Sequence, residues 1–213
     1  MRNIIVVLAF FFTVVSCKKD SKNKVEVLDA KEVPQVNERE TILIDTQNSK
    51  VSWEGFKPSG EHNGLISIAQ GTISLEKGNL VGGNFKFDMN SITDLDMPAD
   101  DEYNKKLVTH LKSADFFDVE KYPRSTFEIT KVSESGGDLN ISGNLTIKGI
   151  SKNITIPAGL IKNNGKVTIK SDIFTIDRTD FNVRYGSKKF FDNLKDKFIN
   201  DEFELSFELN TIQ

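Results

Sequence analysis

Cysteine is almost missing from this chain of 213 residues: Cys17 is the only one. A single thiol makes no internal disulfide and no thiolate cluster, so the fold must be held by its core. Histidine is scarce too. His62 and His110 lack metal-ligand spacing, and no HExxH, CxxC, GxSxG or P-loop motif occurs. Charge of one sign is also lacking. Lys and Arg number 28 against 31 Asp and Glu, a net charge of −3. Nucleic acid selects basic surfaces, and a polybasic membrane patch needs clustered cations, so neither partner is expected. No catalytic residue, metal ligand or cofactor is expected either.

The apolar run at residues 4–15 is too short to span a bilayer as a helix. With Arg2 before it, it reads as a targeting segment. Val14-Val15-Ser16-Cys17 then resembles a bacterial lipobox, followed by Lys18-Lys19. That resemblance implies a signal peptide over residues 1–16, cleavage before Cys17, and a diacylglycerol on its thiol. The expected location is a bacterial cell envelope, lipid-anchored on the periplasmic face or the cell surface. Residues 17–40 are charged and polar, with Pro34 and no apolar period, and read as a flexible tether. Residues 41–213 suffice for one domain with a sizeable core.

That domain reads as strand. Phe203, Leu205, Phe207 and Leu209 alternate with Glu202, Glu204, Ser206 and Glu208. Phe85, Phe87 and Met89 alternate with Lys86 and Asp88, and Leu145 and Ile147 flank Thr146. A period of two puts one set inward and the other in water. Further strands are expected near 50–56, 65–76, 125–132, 154–156, 167–169 and 172–177. Turns are expected where Gly and Asn cluster, at 77–79, 135–138 and 162–165. Many one-sided strands joined by hairpins predict an all-β antiparallel barrel or sandwich. One helix is expected after Pro98, with an acidic start and Tyr103, Leu107 and Leu111 on one face. A second helical turn is expected at 190–194.

Two strands share the pattern apolar-x-Gly-Asn-apolar-x-apolar, at 81–87 and 141–147. Gly83 and Gly143 fall on the apolar face, where a bulge is the first expectation and interior space the second. Asp94, Asp96, Asp100, Asp101 and Glu102 do not match a calcium loop and read as a solvated loop and helix start. Arg178, between Asp177 and Asp180, suggests a local ion-pair or hydrogen-bond network, structural rather than a ligand contact. Trp53 reads as core.

The stretch 110–123, His-Leu-Lys-Ser-Ala-Asp-Phe-Phe-Asp-Val-Glu-Lys-Tyr-Pro, places adjacent Phe116 and Phe117 in a connection. Both cannot be solvated comfortably, so this loop is expected to pack inward and close a cavity. It resembles the segment HLxSxDFFDxxxYP of the YceI-like family. Phe127 follows it. The strand pair 141–152 looks like the family's GxLTIxGxxK element, and Asp177-Arg178-Thr179-Asp180-Phe181 is similar to its late Arg-x-Asp-Phe element. The likeness covers roughly residues 41–210. Asn182 stands where the family usually has Gly, and Leu107-Val108-Thr109 replaces the frequent charged residues.

The resemblance implies an elongated, lipocalin-like barrel whose apolar interior holds a polyisoprenoid or similar long-chain amphiphile. Its expected wall is Phe85, Phe87, Met89, Phe116, Phe117, Phe127, Leu145, Ile147, Phe203, Leu205 and Phe207. An eight-residue strand at 203–210 spans ~26 Å at ~3.3 Å per residue, room for several prenyl units. Each buried five-carbon unit contributes ~3–4 kcal/mol, so no catalytic group is needed for tight binding. The alternative is a structural or interaction barrel filled by its own Phe side chains, meeting a protein partner at the envelope.

Overall fold

A computed structural model describes residues 24–35 and 39–212. The targeting segment and Cys17 lie outside the described residues. Among the described residues the eleven strands are β1 (Val27–Asp29), β2 (Glu40–Leu43), β3 (Lys50–Lys57), β4 (Gly60–Glu76), β5 (Asn79–Asp88), β6 (Arg124–Ser135), β7 (Asp138–Ile147), β8 (Ile150–Asn163), β9 (Lys166–Ser171), β10 (Phe174–Asp177) and β11 (Glu202–Asn210). The helix α1 (Glu102–Lys112) interrupts them between β5 and β6.

Alternation becomes closure. β3 to β9 pair in succession except at β8, where only its second half carries β9, and β11 joins β9 back to β3. The result is a closed eight-stranded antiparallel barrel with one helix. Its turns follow the expected chemistry. Lys77-Gly78 and Asn164-Gly165 both have two consecutive positive φ angles, the geometry of a tight hairpin that matches strand twist.

Closure needs one piece that was expected to be linker. β11 pairs with β9 at one end and with β10 at the other, but β10 does not reach β8. β1 occupies that gap. Val27 lies opposite Ile154 and Asp29 opposite Lys152, while the Val25 N–H donates to the Thr175 carbonyl at 3.0 Å. Val25 is buried in the main core. The described part of the expected tether is therefore, in its first half, barrel wall. Its two inward valines are too few to register as a period, and their partners lie far along the chain.

The same segment covers polar groups on the outer face of β7 and β8. Asn144 accepts from the Lys31 N–H at 3.0 Å and donates to the Lys31 carbonyl at 2.6 Å. Asn153 donates to Asn144 Oδ1 at 2.9 Å. Both asparagines are buried although they point away from the barrel interior.

The connection β5–β6 carries α1, capped by Asp101, whose carboxylate accepts from the Tyr103 N–H at 2.6 Å. The expected helical turn at 190–194 is instead a bend anchored by the Ser187 carbonyl and side chain, and short 3-10 turns fall at Met89–Ser91, Arg178–Phe181 and Lys195–Lys197. Charged residues on both sides of Phe190-Phe191 leave that pair no continuous apolar face to bury, and both rings are exposed.

A chain starting at residue 32 should lose the β1 pairing and leave Asn144 short of two partners. Losing the buried Val25 side chain alone costs ~1.5–3 kcal/mol of apolar burial, so the urea midpoint should fall clearly. An unchanged midpoint would mean that residues 24–31 contribute nothing to closure.

Candidate functional site

The inward faces do not meet. They enclose a cavity of about 400 Å³ that runs to the barrel end carrying α1. This lies within the ~300–1,000 Å³ typical of ligand pockets. Phe85, Phe87, Met89, Phe116, Phe117, Phe127, Leu145, Ile147, Phe203, Leu205 and Phe207 all line it. Phe203, Leu205 and Phe207 face inward yet stay only half-buried, because the cavity itself exposes them.

Sequence reasoning also missed part of the wall. Trp53, read as core, lines the cavity opposite Leu205, and its indole N–H donates to the Thr93 carbonyl at 3.2 Å. Phe174, Ile129, Ile141 and Ile154 complete the apolar surface. Their alternation was visible, but strand register decides which face turns inward.

Two clusters shape the space. The main core fills the barrel. A smaller one, Met89, Ile92, Leu111, Phe116, Val119 and Val183, sits at the helix end. Phe117 packs against both. The loop around it is tightly tied: Phe117 N–H donates to the Leu111 carbonyl at 3.1 Å and Val119 N–H to Lys112 at 2.9 Å. The rings of Phe116 and Phe117 meet edge to face at 5.1 Å.

Glycine makes room inside. A Cβ on Gly143 would lie 2.4 Å from Phe127 Cζ. On Gly83 it would meet Ile129 and Phe85 at 3.1 Å. Register shifts fall beside Gly143, between Ile129 and Lys131, and near Gly83, between Ser74 and Leu75, rather than at the glycines. Bulges thus adjoin both glycines, and each glycine also leaves room inside: the Phe127 ring fills the space at Gly143, and the Thr72 carbonyl oxygen at 2.9 Å, with Phe85 and Ile129, fills that at Gly83.

Polar groups gather at the helix end. His110 packs its ring edge on to Tyr185 at 4.5 Å and Phe116 at 6.0 Å. Its Nε2 is buried, has no hydrogen-bond partner, and His110 lines the cavity. Arg178 lines it as well, with its guanidinium 5.4 Å from the Phe116 ring. Burial pulls the Arg178 pKa down, opposed by Asp201 and Asp177. The side chain is satisfied by the carbonyls of Asn200 at 2.9 Å, Val183 at 2.8 Å and Ile199 at 3.0 Å, with Asp201 at 3.5 Å. All of these partners but Val183 are distant in sequence, so the expected local hydrogen-bond network forms around Asp177 and not between Arg178 and its flanking carboxylates. Asp177 bonds Lys189 and Thr179 instead.

Comparison with known proteins decides the family at this point, because the YceI-like domain matches residues 43–211. The chain belongs to the YceI-like family. Protein YceI of Escherichia coli is 40% identical over 92 residues, covering 37% of this chain and 48% of that protein. A UPF0312 protein of Vibrio parahaemolyticus is 37% identical over 126 residues, 56% of this chain and 62% of its own. The matched stretch thus spans about half the length of these curated relatives. Two solved structures share the fold. Burkholderia cenocepacia BcnA aligns with a TM-score of 0.64 at 23% identity, covering 79% of this chain and 99% of its own. A polyisoprenoid binding domain from Saccharophagus degradans aligns at 0.62 and 12% identity, covering 82% and 98%.

The YceI-like motifs now have physical roles. From the block 110–123, His110, Leu111, Phe116 and Phe117 line the helix end of the cavity. Asn182, where Gly is usual, has φ +59°, a left-handed conformation that Asn tolerates better than other side chains.

In the acidic loop before α1 one residue departs from the expected solvated reading, while Asp96, Asp100 and Glu102 are exposed. Asp94 is buried, not solvated, and accepts from the Met97 N–H and the Asn104 amide, both at 3.2 Å. Burial, with Asp96 beside it, pushes its pKa up to about 6. In Asp96, burial is outweighed by hydrogen bonds from the Asn63 N–H and His62, which hold its pKa down at about 2.

Gly143→Ala should force Phe127 off its place, costing ~1–3 kcal/mol and driving the ring into the cavity. Chemical denaturation reads the loss. A neutral substitution would show that the interior yields without cost.

Proposed function

We propose that this YceI-like domain binds and carries an isoprenoid or similar long-chain amphiphilic lipid. The tail lies in the barrel and the headgroup at the helix end. The observation that carries this reading is the apolar cavity itself, walled by aromatic and branched side chains. A barrel filled by its own Phe side chains would leave no such space, which weighs against the interaction-barrel alternative. The fold shared with a polyisoprenoid binding domain adds support.

The headgroup is read from the mouth. Lys57, Lys197, Arg178, His110 and Tyr185 line it, and no Asp or Glu does. Such a lining favours an oxygen-rich, acceptor-bearing headgroup. His110 Nε2 is placed to donate to it. No hydrogen bond links His110 to the exposed Asp115, and no nucleophile and base pair lies in the cavity among the described residues. The role is binding rather than catalysis. Cys17, lipidated, tethers the barrel to the bacterial envelope, where such a ligand is exchanged with the membrane.

Trp53, the only tryptophan, reports on the cavity. Titration with prenyl alcohols of ten to twenty carbons should shift its fluorescence, and affinity should rise with each five-carbon unit until the space is full. Emission that ignores all of them would end the proposal. His110→Leu should weaken a lipid with an acceptor headgroup by ~0.5–1.5 kcal/mol and leave a plain hydrocarbon chain unaffected, read by the same titration.

A further inference from the structure

A second site lies beside the cavity mouth. The two-residue approach of Gly64 to the loop after β5 sets it up: a Cβ on Gly64 would lie 1.8 Å from the Thr93 carbonyl oxygen. Only a glycine lets that loop run along β4, where Thr93 N–H donates to Leu65 at 3.1 Å and Leu95 N–H to Asn63 at 2.8 Å. The loop thereby delivers two carboxylates to His62, a β4 residue that lines the cavity.

We propose that His62 Nδ1, Asp94 Oδ1 and Asp96 Oδ2 bind one divalent transition-metal ion of the zinc class. His62 Nδ1 is 3.0 Å from Asp96 Oδ2 and 3.9 Å from Asp94 Oδ1, and one ligand atom from each residue lies within 4.8 Å of the others. Around a zinc ion with bonds of about 2.0–2.2 Å, ligand atoms stand roughly 3–4 Å apart. Both His62 separations fall in that range.

A separate observation points to a missing partner. The Asp94 side chain is fully buried, and its Oδ1 has no hydrogen-bond partner. Its other oxygen is fixed by Met97 and Asn104, so Oδ1 is held facing His62. A buried carboxylate oxygen left bare is costly, and a cation satisfies it. Asp96 is oriented likewise. Its Oδ1 accepts from the Asn63 N–H at 3.1 Å, which leaves Oδ2 toward the imidazole.

The donor set selects the ion class. One imidazole with two carboxylates suits zinc and its transition-metal neighbours better than calcium, which prefers six to eight oxygens. Binding replaces the proton that His62 Nδ1 shares with Asp96. The imidazole then carries its proton on Nε2, and the exposed Lys57 ammonium, now 3.1 Å from Nε2, turns into solvent. Three protein ligands leave a position open for water.

The test is calorimetric titration of the purified full-length chain with zinc chloride, carried out in a Cys17→Ser background to remove the one thiol. One zinc per chain should bind, and Asp94→Asn and His62→Ala should each weaken it by at least about tenfold. The other histidine serves as control: His110→Phe should bind zinc as well as the parent. Circular dichroism checks each variant's fold. If Asp94→Asn does not fold, the half-buried His62→Ala decides alone. A parent chain that takes up no zinc, or variants that bind it equally well, would overturn the assignment.

Discussion

Backbone hydrogen bonding around a closed ring is the constraint on which everything else depends. Eight antiparallel strands satisfy one another's N–H and C=O groups and leave no long edge. The inner face then has no polar backbone to offer. It presents side chains alone, and their size decides whether the barrel is solid or hollow. Here glycines let aromatic rings lie against the wall, and the β11 side chains are left half-buried around the space. The cavity is therefore a consequence of closure together with where bulk is withheld.

Closure is completed from outside the repeating hairpins. β1 enters between β8 and β10 and at the same time buries Asn144 and Asn153. In the proposed lipoprotein, the segment that seals the wall would follow directly on the lipid anchor. Anchor and barrel would then be mechanically joined, and the orientation of the mouth relative to the membrane would be limited by the short stretch before Lys24.

Much of this was legible in the chain and some was not, for physical reasons. Strand identity follows from local alternation, so β3, β6 and β11 were expected within a few residues of their observed bounds. The Phe116-Phe117 connection announced its inward packing because two adjacent rings have nowhere else to go. Long-range placement left no local trace. Val27 finds Ile154, Arg178 finds Asn200 and Asp201, and His62 finds Asp96 thirty-four residues later. No period or spacing encodes such meetings. The glycine that permits the last of them, Gly64, looks like any other strand glycine until the Thr93 carbonyl is seen against it.

The central claim is that the hollow interior exists to hold an extended lipid. Native mass spectrometry of the chain purified from its own membranes tests it most directly. The account predicts a bound species of discrete mass that solvent extraction releases and identifies as a prenyl-chain amphiphile, leaving a folded, lighter protein. A chain that flies at its bare polypeptide-plus-anchor mass under every gentle condition, with nothing extractable, would contradict it.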